Sequence, residues 1–220
     1  MTWLNRSDNV IQKDVLAEFL WDPAVDAPDV GVEVDDGVVT LTGTVDTFAV
    51  KLAAEEAAQR VAGVRAVAND LTVRKPLTFN DTDIAREVAN ALEANIAIPA
   101  NAIDVTVQNG RVTLKGTVER DFQRAVAANT VRYLRGVRDL VNLVAVTQPS
   151  ASAAEVSLGI KRALARSASL DADRIHVATS DGHVHLTGTV HSWTEKREAG
   201  LAAWRATGVR EVDNDILVGL

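Results

Sequence analysis

The 220-residue chain has no cysteine, one methionine and one tyrosine, and aromatic residues make up only 4% of it. Without cysteine there are no disulfides, no thiolate nucleophile and no cysteine-ligated metal centre. With so few aromatics, the interior has to be built from Val, Leu, Ile and Ala. No apolar run approaches the roughly 20 residues that cross a bilayer as a helix. The opening residues Met1-Thr-Trp-Leu-Asn-Arg-Ser-Asp8 lack a basic stretch followed by an apolar core. No secretory leader or lipid-anchor cysteine is visible, so the expected location is the cytoplasm, or the periplasm if a leader has been removed.

Positive charge is also scarce: 23 Lys and Arg stand against 30 Asp and Glu, a net charge of −7. Residues 1–75 hold 7 basic and 13 acidic groups, residues 76–148 hold 8 of each, and residues 149–220 hold 8 and 9. This distribution lacks the basic footprint of a nucleic-acid-binding protein. It equally opposes a purely electrostatic hold on anionic lipid. No nucleophile elbow, phosphate loop or dinucleotide fingerprint occurs, and no nucleophile, base and orienting group recur in a recognisable order. The expectation is a non-enzymatic protein without a cofactor.

What is present is a threefold repetition. Gly37-Val-Val-Thr-Leu-Thr-Gly-Thr-Val45 returns as Gly110-Arg-Val-Thr-Leu-Lys-Gly-Thr-Val118 and as Gly182-His-Val-His-Leu-Thr-Gly-Thr-Val190, at intervals of 73 and 72 residues. Gly63-Val-Arg65, Gly136-Val-Arg138 and Gly208-Val-Arg210 recur in step, each followed by an asparagine at 69, 142 or 214. A fixed period of this size marks tandem modules, expected at 1–75, 76–148 and 149–220. Pro76, Pro149 and the Ser/Ala run at 150–154 mark short linkers. Modules of this size sit near the lower limit for an independent core, so they are expected to pack on one another.

Each module reads as α-β-β-α-β. A first helix carries an apolar stripe at i, i+4 and i+8: Ile11, Val15 and Phe19; Ile84, Val88 and Leu92; Val156, Ile160 and Leu164. Asp8, Asp81 and Ser152 are its expected N-caps. Two alternating strands follow, joined by Asp36-Gly37, Asn109-Gly110 and Asp181-Gly182, dipeptides suited to a type I′ turn. A second helix, from about Thr47, Arg120 and Ser192, covers the hairpin with Ala54, Ala58 and Val61; Ala127, Val131 and Leu134; Ala199, Ala203 and Ala206. Gly63, Gly136 and Gly208 end it in the left-handed region, and a last strand through Asn69, Asn142 or Asn214 completes the module. The fold class is α+β: three tandem modules, each a small three-stranded mixed sheet with two helices on one face.

The glycine-alternation motif, the Gly-Val turn and the downstream asparagine resemble the BON domain family (bacterial OsmY and nodulation), in three copies over nearly the whole chain. The resemblance implies a non-enzymatic, transport-associated protein of osmotic and envelope stress that binds phospholipid surfaces. It also admits a protein-binding or chaperone-like scaffold, or an ion sensor for K⁺ or a transition metal. A potassium-binding relative joins one such module to a LysM module, for which this chain leaves no room. The family supplies no catalytic or ligand-contacting motif to carry over.

Three residue sets invite chemistry. Arg65, Arg138 and Arg210, with Lys51, Arg124 and Lys196, hold repeated positions and could bind an anionic head group. The structural alternative for the arginines is a cation beside a helix C-terminus; for the second set it is plain solvation. His176, His183 and His185 should share the uncovered face of the third sheet, His176 opposite Thr187, in a spacing that suits Zn, Cu or Ni. Trp3, Trp21, Trp193 and Trp204 do not recur, so they are expected to fill seams between modules or to expose a contact surface.

Overall fold

The computed structural model describes residues 6–25, 30–74, 79–147, 151–167 and 171–219. Trp3, Pro76, Pro149 and Ser150 lie outside them. The modules open with helices α1 (Asp8–Trp21), α3 (Asp81–Glu93) and α5 (Ala153–Arg166), which bury the three expected trios. Ser152 caps α5, its side chain accepting from the Glu155 amide, but Asp8 and Asp81 are not caps. Ser7 and Asn80 hold those positions, and the aspartates stand one residue inside the helix. Their carboxylates reach across the module instead. Asp8 accepts from the amides of Asp36 and Gly37, and Asp81 from those of Asn109 and Gly110. The first helix is thereby tied to the hairpin turn by charge-assisted bonds.

The hairpins are β1 (Val30–Asp35) with β2 (Val38–Val45), β4 (Ile103–Gln108) with β5 (Arg111–Val118), and β7 (Ile175–Ser180) with β8 (His183–Val190). Both residues of each expected turn have positive φ, from 46° at Asp36 to 81° at Gly182, as a type I′ turn requires. The second glycine of the motif answers to a different constraint. A Cβ on Gly116 or Gly188 would lie 2.0 Å from the carbonyl oxygen of Ala102 or Arg174, so only glycine allows that approach. The second helices α2 (Phe48–Arg60), α4 (Asp121–Arg132) and α6 (Trp193–Trp204) cross over to last strands parallel to the central one: β3 (Ala66–Val73) and β6 (Asp139–Val146). In the third module this strand is split into β9 (Glu211–Asn214) and β10 (Leu217–Val218), although the Asp215 amide still donates to Leu186 O at 2.9 Å. Among the described residues, that interruption is the one departure from three equal sheets.

The recurring asparagine has a mechanical task. Asn69, Asn142 and Asn214 donate from Nδ2 to the carbonyls of Lys51, Arg124 and Lys196 at 3.2, 3.0 and 2.9 Å. Each Oδ1 accepts the amide two residues on, at Leu71, Val144 or Ile216. One half-buried side chain thus latches the last strand to the second helix and gives one backbone carbonyl and one backbone amide a partner.

The modules close into a ring through their second helices. Arg132 of α4 pairs with Glu56 of α2 at 3.0 Å. Trp204 of α6, at the position Arg132 holds in the second module, lies under the guanidinium of Arg124 of α4, 4.0 Å from ring centroid to carbon. Helix α2 packs on α6 and completes the cycle. Modules 1 and 2 share one continuous apolar core, module 3 has its own, and Trp204 packs against both. The expectation for the tryptophans divides: Trp204 fills a seam, whereas Trp21 is 83% exposed.

Asn142→Ala is expected to cost about 1–3 kcal/mol, read as a lower urea midpoint, because it leaves the buried Val144 amide without its acceptor and removes the bond to the Arg124 carbonyl. Asn142→Asp should cost at least as much, since it sets a carboxylate oxygen against the Arg124 carbonyl; an unchanged midpoint in both would deny the latch. Trp204→Ala should cost about 2–4 kcal/mol and split one calorimetric transition into two, module 3 melting apart from the joint core.

Candidate functional site

The repeated arginines are first of all part of the hairpin. The Arg65, Arg138 and Arg210 amides donate to the carbonyls of Gly37, Gly110 and Gly182 at 2.8, 2.9 and 2.8 Å. Their aliphatic stems lie over the same glycines, where an added Cβ would come within 3.0, 2.8 and 3.2 Å of them. Gly and Arg therefore form one unit in which the stem takes the space a side chain would need. The Arg65 head pairs with Asp36 at 2.9 Å, in solvent. Arg138 donates from Nε across the seam to Val73 O at 3.0 Å.

The second cation set is equally dispersed. Lys51 Nζ donates to Leu71 O at 2.8 Å, Arg124 pairs with Asp121 at 2.5 Å besides stacking on Trp204, and Lys196 stands 5.3 Å from the Trp193 ring centre. The structure does not bring the two sets together at a common point.

His176 pairs across the strands with Thr187, and His183 and His185 project from β8 on the same open face. The latter two engage carboxylates: His183 Nδ1 lies 2.9 Å from Glu211, and His185 Nε2 lies 2.8 Å from Asp215. Among the described residues, no three His, Asp or Glu side chains gather closely enough to hold a metal ion.

Two surfaces break the repetition, so no repeated residue points to them. The first is the outer face of α1. Opposite its buried trio, Val10, Leu16, Leu20 and Trp21 are exposed, Leu20 by 91%. Lys13 and Ala17 lie exposed among them. A helix apolar on both sides signals a partner. The corresponding residues of α3 include Arg86, Ala89, Asn90 and Glu93, an ordinary solvated face. Beneath the α1 tip, Arg60 binds Glu18 at 2.8 Å and Asp22 at 2.5 Å, while Arg6 pairs with Asp14. The Ala24 amide and then Arg60 hold the Asp22 carboxyl below its usual range. Burial opposes the Arg60 charge, but Glu18 and Asp22 more than offset it and raise its pKa.

The second surface is a cleft of about 420 Å³ where module 3 meets module 1, lined by Ser7, Ile11, Gly63 and Arg65 on one side and by His191 and Val218 on the other.

Residues 7–75, 80–148 and 152–219 each match the family model described as "BON domain". Among curated proteins, Osmotically-inducible protein Y of Escherichia coli (strain K12) is 29% identical over 141 residues, 61% of this chain and 70% of that protein. Among solved structures, CdsD, a structural protein of the type III secretion system of Chlamydia trachomatis, is 18% identical, covering 94% of this chain and 91% of that one at a TM-score of 0.27. The PrgH periplasmic domain is 11% identical over 93% of this chain and 100% of that one, at 0.23. Superpositions this loose support no conclusion about arrangement or role.

Because Asp22 is held below its unfolded pKa, its stabilisation is complete above the unfolded value and is lost as pH falls through the lowered folded value. Asp22→Asn should therefore weaken the protein at neutral pH and flatten its loss of stability below about pH 4, measured as melting temperature against pH. Parallel profiles for the two proteins would show that the Arg60 clamp does not act on stability.

Proposed function

We propose that this chain, which belongs to the BON-domain family, is a non-enzymatic, stress-associated protein that binds phospholipid surfaces through the outer face of α1. The stress role follows from its similarity to a protein named as osmotically inducible. The observation that carries the lipid reading is the exposed stripe of Val10, Leu16, Leu20 and Trp21.

That stripe suits the boundary between head groups and acyl chains. Leu20 and Trp21 stand at the helix tip, tryptophan is the side chain that favours the interface, and Lys13 lies where it can reach phosphate. Each large side chain removed from water contributes about 1.5–3 kcal/mol, so a few of them give weak, reversible attachment rather than a permanent anchor. Residues 1–75 carry a net charge of −6, so attraction to anionic lipid is not the driving term. Apolar contact is. No described helix is long and apolar enough to cross a membrane.

In vesicle flotation the protein should rise with both neutral and phosphatidylglycerol-rich membranes, with little change between low and physiological salt. Leu20→Glu with Trp21→Glu should abolish flotation while leaving the melting temperature within about 2 °C, as both side chains are exposed. Flotation of the double variant would move the contact elsewhere, and no flotation of the wild type would end the lipid reading.

A further inference from the structure

The first strand of each hairpin forms one edge of its sheet. In the second module Gln108 and Arg111 flank a two-residue turn and form a hydrogen-bonded pair, as do Thr106 with Thr113 and Asp104 with Lys115. Val105 and Val107 alternate with them, so their amides and carbonyls point away from the sheet. Among the described residues, nothing bonds to those outward groups. Strand β4 carries neither the lysine nor the proline that commonly protects such an edge.

The sister edges are guarded. In module 1, Gln12 of α1 reaches the edge and donates from Nε2 to Val32 O at 2.6 Å. Its counterpart in α3 is Ala85, whose methyl cannot make that bond. One turn further on, Leu16 is matched by Ala89 in α3 and by Lys161 in α5. At the centre of β1 stands Glu33, where β4 has Thr106 and β7 has Ala178. In module 3 the Thr179 hydroxyl ties the edge strand to Ala153 O at 2.7 Å.

We propose that two copies of this chain pair edge to edge through β4, antiparallel about a twofold axis beside Thr106, joining their second sheets into one. The occupant is a second copy because the edge complements itself. With Thr106 on the axis, Val105 of one copy and Val107 of the other exchange their outward backbone bonds. On the open face the exposed Asp104 then meets Gln108, and Thr106 meets Thr106. Acid faces amide, hydroxyl faces hydroxyl, and no like charges oppose, which favours the pairing. Ala85 and Ala89 flank the edge, and small side chains let the two α3 helices approach across the axis. The same operation at β1 would set Glu33 against Glu33 and expel Gln12. At β7 it would bring two Lys161 flanks together. One strand pair and one helix pair make a smaller contact than a permanent dimer has, so association should depend on concentration. This inference stands apart from the lipid reading, which uses α1 of the first module.

The test is sedimentation equilibrium of the full chain. The mass should rise from that of the 23.5 kDa chain toward twice that value, with a dissociation constant between about 1 and 100 μM. Thr106→Glu and Thr106→Lys each place like charges on the axis and should weaken association at least about tenfold, with unchanged melting temperatures because Thr106 is exposed. An equimolar mixture of the two variants should associate again, since Glu then faces Lys. Ala85→Gln, which copies the Gln12 plug, should weaken the dimer, and Glu33→Lys should leave it unchanged. Four results would overturn the proposal: a monomer up to about 1 mM chain; a dimer indifferent to both Thr106 variants; a mixture that stays monomeric; or a dimer lost in Leu20→Glu with Trp21→Glu, which would put the contact on α1.

Discussion

A three-stranded sheet with two helices on one side leaves an awkward helix. The first helix of each module hides its stripe and shows the rest to water. The second hides small residues against the sheet, with Ala54, Ala57 and Ala58 at 0% exposure in α2, and must still find cover for its far side. A module of about 70 residues has too little interior to absorb that cost alone. Three modules resolve it by turning those far sides toward one another, so α2, α4 and α6 cover each other in a cycle. The shared core of the first two modules, the bridging Trp204 and the seam cleft all follow from that packing.

Within a module nearly every element was legible in the sequence, because the signals were local. Glycine and Asx at the turn, period-two alternation and apolar residues four apart each depend on a few neighbouring residues. Asp8 and Asp81 were misread as caps because their acceptor role depends on amides 28 and 29 residues away, brought close only by the fold. The split of the last strand at Asp215 and Ile216 had no sequence cue. The ring itself was illegible, since its contacts join Glu56 to Arg132 and Arg124 to Trp204, and no periodicity encodes a pairing between different side chains.

The residues that repeat most faithfully proved to be the framework. The arginines cover hairpin glycines, and the asparagines fasten strand to helix. Where the copies disagree, the protein has surfaces that the framework does not explain: an apolar outer face on α1 alone, and a seam without a linker. A residue that recurs in every copy answers to what the copies share, which is folding. Repeated cations therefore mark the framework rather than the surfaces where the copies differ.

At one helical position the three copies carry Gln59, Arg132 and Trp204. Arg132 and Trp204 face different neighbours around the ring, so the modules are not interchangeable parts. Arg132 needs the Glu56 carboxylate, and Trp204 needs the flat guanidinium of Arg124. A ring assembled in another order, or with a module borrowed from a second chain in the wrong slot, would set the indole beside Glu56 and leave Arg132 without its acid. Divergence at a single position thus works like the teeth of a key: it gives a chain of near-identical units a unique seating plan.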